Sequence, residues 1–172
     1  MKQIPKQPAQ LFAGHAYTVE SSDQLGTFQP AWQDFEAQLG FKTLDDLAEI
    51  PNRSAMVVFS PYDTFLYWIG SLLPADAAVP KPYEAFRLPE ATAGQVRQPA
   101  TSVLLKQLPL ATSFNKGLQI IEKAGYPLPD RLGQTDHPYY LESYLIQDGA
   151  VHQVAYRLYI DPHQLKGVDE YE

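Results

Sequence analysis

Apolar and polar positions along the chain follow two alternating periods. The first ten residues carry no period and, with Pro5 and Pro8, read as an extended tail. LFAGHAYTVE, residues 11–20, reads as a strand interrupted by Gly14, and SSDQLGTFQP as a loop. Trp32, Phe35 and Leu39 then recur at helical spacing and Gly40 supplies a stop, which predicts a short amphipathic helix over 31–39. A further helical turn is expected over 44–49, ended by Ile50 and Pro51. Strand-like runs return in SAMVVFSPYDTFLYWIG, and Pro61 suits the second position of a turn at Ser60-Pro61-Tyr62-Asp63, so this segment is a hairpin.

The same order then repeats. SLLPADAAVPKP, residues 71–82, reads as a crossover linker, and YEAFRLPE and residues 92–105 as extended structure bent at Pro89 and Pro99. Thr112 or Ser113 can cap a helix that buries Phe114, Leu118 and Ile121 and stops at Gly125. HPYYLESYLI and VHQVAYRLYI flank Asp148-Gly149, the strongest short-range hairpin signal in the chain. The Gly40-Phe41 and Gly125-Tyr126 stops are offset by 85 residues, and that offset lays Met56-Val57-Val58-Phe59 on Leu141-Glu142-Ser143-Tyr144. The chain is therefore expected to be an α+β domain of two βαββ repeats.

The candidate site comes from one residue that breaks this pattern. Strands are depleted in acidic residues, so Glu142, flanked by Tyr140 and Tyr144 where the first copy has Val57, needs a partner. If Asp148 and Gly149 are the two turn residues, Tyr140, Glu142, Tyr144, Arg157 and Tyr159 share one face. Leu141, Leu145, Val154, Tyr156, Leu158 and Ile160 then form the core face. Arg157 would lie diagonal to Glu142, so an exposed ion pair worth about 0–1 kcal/mol and a ligand role both fit the hairpin. The valine-to-glutamate difference between copies favours the ligand. In the first hairpin, opposition of Ser60 and Asp63 puts Ala55, Val57, Phe59, Leu66 and Trp68 on the equivalent face. A slip of one residue would put Tyr67 there instead of Trp68.

Composition narrows the function classes. The 172 residues suit one domain, 45% hydrophobic and 19% charged. A net charge of −7 disfavours phosphate backbones, so direct nucleic-acid binding is not expected. With no cysteine there is no disulfide framework and no thiolate nucleophile. No membrane span or apolar leader is evident, and the default is a soluble cytoplasmic protein. His15, His137, His152 and His163 show no metal-ligand spacing, and the chain has neither a G-x-S-x-G elbow nor a phosphate-cradling glycine loop, so no metal or cofactor is expected.

The order of elements, Glu142-Ser143-Tyr144 on the penultimate strand, Ile69-Gly70 closing the first hairpin and the proline-rich crossover resemble the GyrI-like superfamily. That superfamily comprises effector-binding domains of bacterial multidrug-responsive transcription activators and free-standing relatives. The resemblance covers residues 11–162 and implies a single domain: repeats at 11–70 and 84–162, a linker at 71–83, and tails at 1–10 and 163–172. It further implies one antiparallel sheet with helices on one face and a ligand groove where the repeats join. Amphipathic, cationic aromatic ligands would meet Glu142 as charge partner, walled by Tyr140, Tyr144, Tyr159, Phe59 and Trp68 or Tyr67, with Arg157 alongside. Without an attached DNA-binding domain such a protein would act as a free-standing binder or through a separate regulatory partner. Some relatives hydrolyse strained, cyclopropane-type electrophiles, for which Glu142 and Tyr144 would be the catalytic pair. Another inhibits DNA gyrase, but no dense acidic block supports an interaction module here.

Overall fold

The structure, a computed structural model, describes residues 3–164, and among these the two periods resolve into eight strands and three α-helices. The elements are β1 (Lys6–Gln7), β2 (Gln10–Tyr17), α1 (Gln29–Gln38), α2 (Lys42–Leu47), β3 (Asn52–Phe59), β4 (Phe65–Pro74), β5 (Glu84–Leu88), β6 (Ala91–Pro99), α3 (Leu110–Lys123), β7 (Tyr139–Gln147) and β8 (Ala150–Tyr159). The class is α+β. The two halves, β2-α1-α2-β3-β4 and β6-α3-β7-β8, follow the order expected from the repeat. All strands join one antiparallel sheet in the order β1-β6-β8-β7-β3-β4-β2-β5.

The halves meet where β3 pairs with β7, Ala55 opposite Glu142 and Val57 opposite Tyr140. Each half lends an edge strand to the other, since β1 pairs with β6 and β5 pairs with β2. The N-terminal ten residues are thus not a plain tail: Lys6, Gln7 and Gln10 are in strands. Only Pro8 and Ala9 separate β1 from β2, yet six strand spacings lie between them in the sheet order. A flat sheet would require a span of about 29 Å. Three residue steps reach only about 11 Å, so the sheet must curl. A hydrogen bond from Arg157 on β8 to Gln10 on β2, 2.7 Å long, joins strands four spacings apart and shows the helix-free face to be the concave one.

Two apolar clusters follow from this shape. The helix-bearing face buries Trp32 and Phe35 of α1 and Ile121 of α3 against Tyr67, Ile69, Tyr140, Tyr144, Tyr156 and Leu158. The concave face packs Phe12, Met56, Trp68, Leu88, Leu141 and Tyr159.

Both hairpins pair differently from the simplest reading of their turns. Asp148 and Gly149 do occupy the turn, both with positive φ, and Gln147 opposes Ala150. A bulge between Leu145 and Ile146 then shifts the ladder by one residue, so Glu142 opposes Tyr156 and Leu141 opposes Arg157. A one-residue shift exchanges the faces of the whole second strand. Tyr156, Val154 and Leu158 therefore join Glu142 on the helix face, while Arg157 and Tyr159 turn to the concave face. In the first hairpin Val57 opposes Tyr67 and Met56 opposes Trp68, the slipped register.

Helix α3 begins at Leu110 behind Pro109, so neither Thr112 nor Ser113 caps it, and both fall in its first turn. The fixed φ of proline and its missing N–H suit a helix start. The expected tail over 163–172 begins in a 3-10 turn, Pro162–Gln164, and its remainder lies outside the described residues.

Where α3 crosses β7, a Cβ on Gly117 would stand 1.8 Å from the hydroxyl oxygen of Tyr140. Gly117→Ala is expected to lower stability by about 1–2 kcal/mol in urea unfolding, because overpacking outweighs the helix-propensity gain of about 1 kcal/mol. A neutral or stabilising result would show that α3 and β7 are free to separate.

Candidate functional site

The centre of β7 carries a buried carboxylate between two phenols. Glu142 is 4% exposed. The Tyr140 hydroxyl donates to Glu142 Oε1 at 3.0 Å and the Tyr144 hydroxyl to Oε2 at 2.6 Å. Residues two apart on a strand point the same way, so the sequence Tyr-x-Glu-x-Tyr builds this clasp from one strand.

Burial dominates the electrostatics. Desolvation raises the Glu142 pKa above the ordinary carboxylate value, against the opposing pull of the Tyr144 and Tyr140 hydroxyls and of the Lys116 charge. The Tyr140 and Tyr144 phenols are held well above their usual range by burial and by the neighbouring carboxylate. Tyr156, directly across the ladder, is pushed up to about 12 by burial and then by the Glu142 charge. Every phenol in the cluster is therefore a proton donor at neutral pH, and among the described residues no cation lies within ion-pair distance of Glu142.

Glu142 faces a narrow slot between the sheet and the start of α3, lined by Phe28, Ala55, Val57, Tyr67, Leu105, Leu108, Leu110, Ser113, Phe114 and Tyr140. Its free volume is about 10 Å³, the room of one water. The rings form two groups: Phe28 packs on Tyr67 at 4.1 Å, and Phe114 meets Tyr140 at 5.0 Å and Phe59 at 5.2 Å. Tyr67 is held in place by Trp32, whose Nε1 donates to its hydroxyl at 3.0 Å. Ser113 lines the same slot, and its buried hydroxyl has no hydrogen-bond partner. On the other side of Tyr144 and Tyr156 a wider cleft of about 540 Å³ is lined by residues 98–102, Leu104, Lys116 and His152. Residues 100–109 form a strap between slot and cleft. Lys106 pins it to α1 through Glu36 at 2.6 Å.

The residues singled out in the sequence divide between the two faces. Tyr140, Glu142, Tyr144 and Tyr67 come together at the slot, and Phe59 stands behind Phe114. Trp68, Arg157 and Tyr159 do not reach it, because the two register shifts place them on the concave face. Arg157 therefore does not neutralise Glu142. Sequence reasoning missed Tyr156, which the bulge rotates in, and Ser113, which resembles a cap. Phe28 and Phe114 are brought in by tertiary packing and give no local signal.

Among the described residues no group of His, Asp and Glu is arranged to hold a metal, and no helix is long and apolar enough to cross a membrane.

A curled antiparallel sheet made of two βαββ units, with the helices on its outer face, is the α+β fold of the chain. Among solved structures it is similar to the crystal structure of the EcmrR C-terminal domain, with a TM-score of 0.50 and 13% sequence identity. The match covers 92% of this chain and 96% of that one. No family model and no curated protein sequence matches the chain.

The raised Glu142 pKa has a consequence for stability. As pH rises the unfolded chain ionises first and the folded chain resists, so this group's contribution falls between the unfolded and folded pKa values. Glu142→Gln is expected to melt higher than the wild type at pH 7, with the difference shrinking as pH falls to about 4. Thermal melts across that range check it, and a difference independent of pH would mean that Glu142 is not a desolvated acid.

Proposed function

We propose that the chain is a small-molecule-binding domain whose ligands are amphipathic aromatic cations, with Glu142 as their charge partner. One observation carries this reading: a buried carboxylate lining an aromatic slot has two phenols to hold it and, among the described residues, no cation within ion-pair distance. A ligand cation would supply the missing charge in a low-dielectric site, and each ring face would add about 0.5–2 kcal/mol. The Ser113 hydroxyl, unpartnered in the slot, is a further polar contact for such a ligand. The resemblance to the GyrI-like superfamily supports the reading by analogy of architecture.

The slot as it stands is too small for a drug-sized molecule, which needs about 300 Å³ or more. Entry therefore requires residues 100–109 to move outward, taking Leu105 and Leu108 from over Glu142 and merging the slot with the neighbouring cleft. The Lys106–Glu36 pair restrains that movement by about 0–1 kcal/mol, since both side chains are partly exposed.

A thermal-shift screen with cationic aromatic dyes tests the proposal. A dye that binds only the folded state raises the melting temperature, and Glu142→Gln should weaken that dye about tenfold or more. Lys106→Ala should strengthen it by up to about fivefold by releasing the strap. Hits indifferent to Glu142→Gln would remove the charge-partner role. A hydrolytic reading draws on the 2.6 Å contact of Tyr144 with Glu142, a proton donor beside a base. Turnover of a cyclopropane electrophile by the wild type, abolished in Glu142→Gln, would replace binding with hydrolysis.

A further inference from the structure

We propose that the concave, helix-free face carries a second site, for a small amphipathic organic anion, centred on Arg157. This site is distinct from the Glu142 slot and lies on the opposite side of the same hairpin. Arg157 is 7% exposed, and none of its contacts among the described residues is a carboxylate. Its Nε donates to Gln95 Oε1 at 2.7 Å, and its Nη1 donates to Gln10 Oε1 at 2.7 Å and toward the Tyr159 hydroxyl at 3.3 Å. Nη2 has no acceptor among the described residues, and it is not a sealed atom. A buried guanidinium left without a counter-charge is costly, so an anion that reaches it gains the full benefit of a desolvated, forked donor.

The chemistry around Arg157 is one-sided. The carbonyls of Gln95 and Gln10 both accept from the arginine, and both glutamines line the same cleft. Next along β6 on this face, Arg97 adds a second, exposed guanidinium. These groups open into a cleft of about 440 Å³ that also presents Leu72, Leu145, Ile50 and Pro74. Among the described residues Glu49 is the one carboxylate lining it, so with Arg157 and Arg97 the described lining is net positive in a chain of net charge −7. Two guanidinium groups would bind a carboxylate, while the aliphatic wall would take a short hydrocarbon body. The cleft is large enough for such a molecule without rearrangement.

Isothermal titration of octanoate into the full chain tests this, with octylammonium and inorganic phosphate as comparators. The expected result is saturable one-to-one binding of octanoate and none of octylammonium. Arg157→Gln should weaken octanoate about tenfold or more, Arg97→Glu should weaken it several-fold, and Glu142→Gln should leave it unchanged. Circular dichroism shows whether Arg157→Gln folds; if it does not, Arg97→Glu, at an exposed position, decides alone. Failure of octanoate to bind the wild type, or binding that survives the arginine substitutions, overturns the proposal. Loss of octanoate binding in Glu142→Gln would place the ligand in the other slot and overturn it as well. Tighter binding of phosphate than of octanoate would contradict the role of the aliphatic wall.

Discussion

Pro8 and Ala9 set the constraint on which the rest of the molecule depends. They carry the chain between strands that lie six positions apart in the sheet, and at both edges the halves exchange strands. A sheet tied in this way cannot lie flat. Its two faces become different environments: a convex face that needs helices to cover it and a concave face that closes on itself. On the concave side the polar side chains of Asn52, Ser54 and Ser143 pair with one another at the seam. Ser54 Oγ donates to Asn52 Oδ1 at 2.6 Å and lies 2.8 Å from Ser143 Oγ, while Asn52 also binds the backbone of Leu72 and Ile50. Against that background of paired groups, the uncompensated charges of Glu142 and Arg157 stand out.

Those two charges sit on neighbouring strands and would neutralise one another if they shared a face. The bulge at Leu145 and Ile146 prevents this, since it turns every β8 side chain beyond it to the opposite side. A single inserted residue thereby exchanges one internal ion pair for two separate unpaired ions. A buried pair stabilises little over an apolar replacement, whereas each isolated charge costs free energy until a partner arrives. The phenols around Glu142 reduce that penalty without removing it, because they donate hydrogen bonds but carry no charge.

Much of the fold was legible from local pattern. The Gly40 and Gly125 stops, the Trp32, Phe35 and Leu39 spacing and the Asp148-Gly149 turn are short-range signals, and the structure has helices and turns there. The clasp of Tyr140, Glu142 and Tyr144 was legible for the same reason, because residues two apart on one strand share a face whatever the strand pairs with. Assigning Arg157, Tyr159 and Trp68 was not possible in this way. Their faces depend on cross-strand register, and one bulge or one extra loop residue reverses them without leaving a mark in composition. The short β1 was equally hidden, since its pairing with β6 is a tertiary contact spanning about half the chain. Ser113 shows the converse error: a residue type that favours helix caps was used instead inside the first turn, where Pro109 already sets the start.

The loss of symmetry between the halves gives the final step. Along the seam, Val57 opposes Tyr140 and Ala55 opposes Glu142, so the first copy offers small apolar side chains where the second offers a ring and a carboxylate. Two equally bulky or equally acidic copies could not pack there: two glutamates would repel in a dry interior, and two tyrosines would fill the slot. Space from one copy and charge from the other together make a hollow with a single acid in it. The symmetric scaffold thus supplies rigidity, and the site exists because the symmetry fails at the seam.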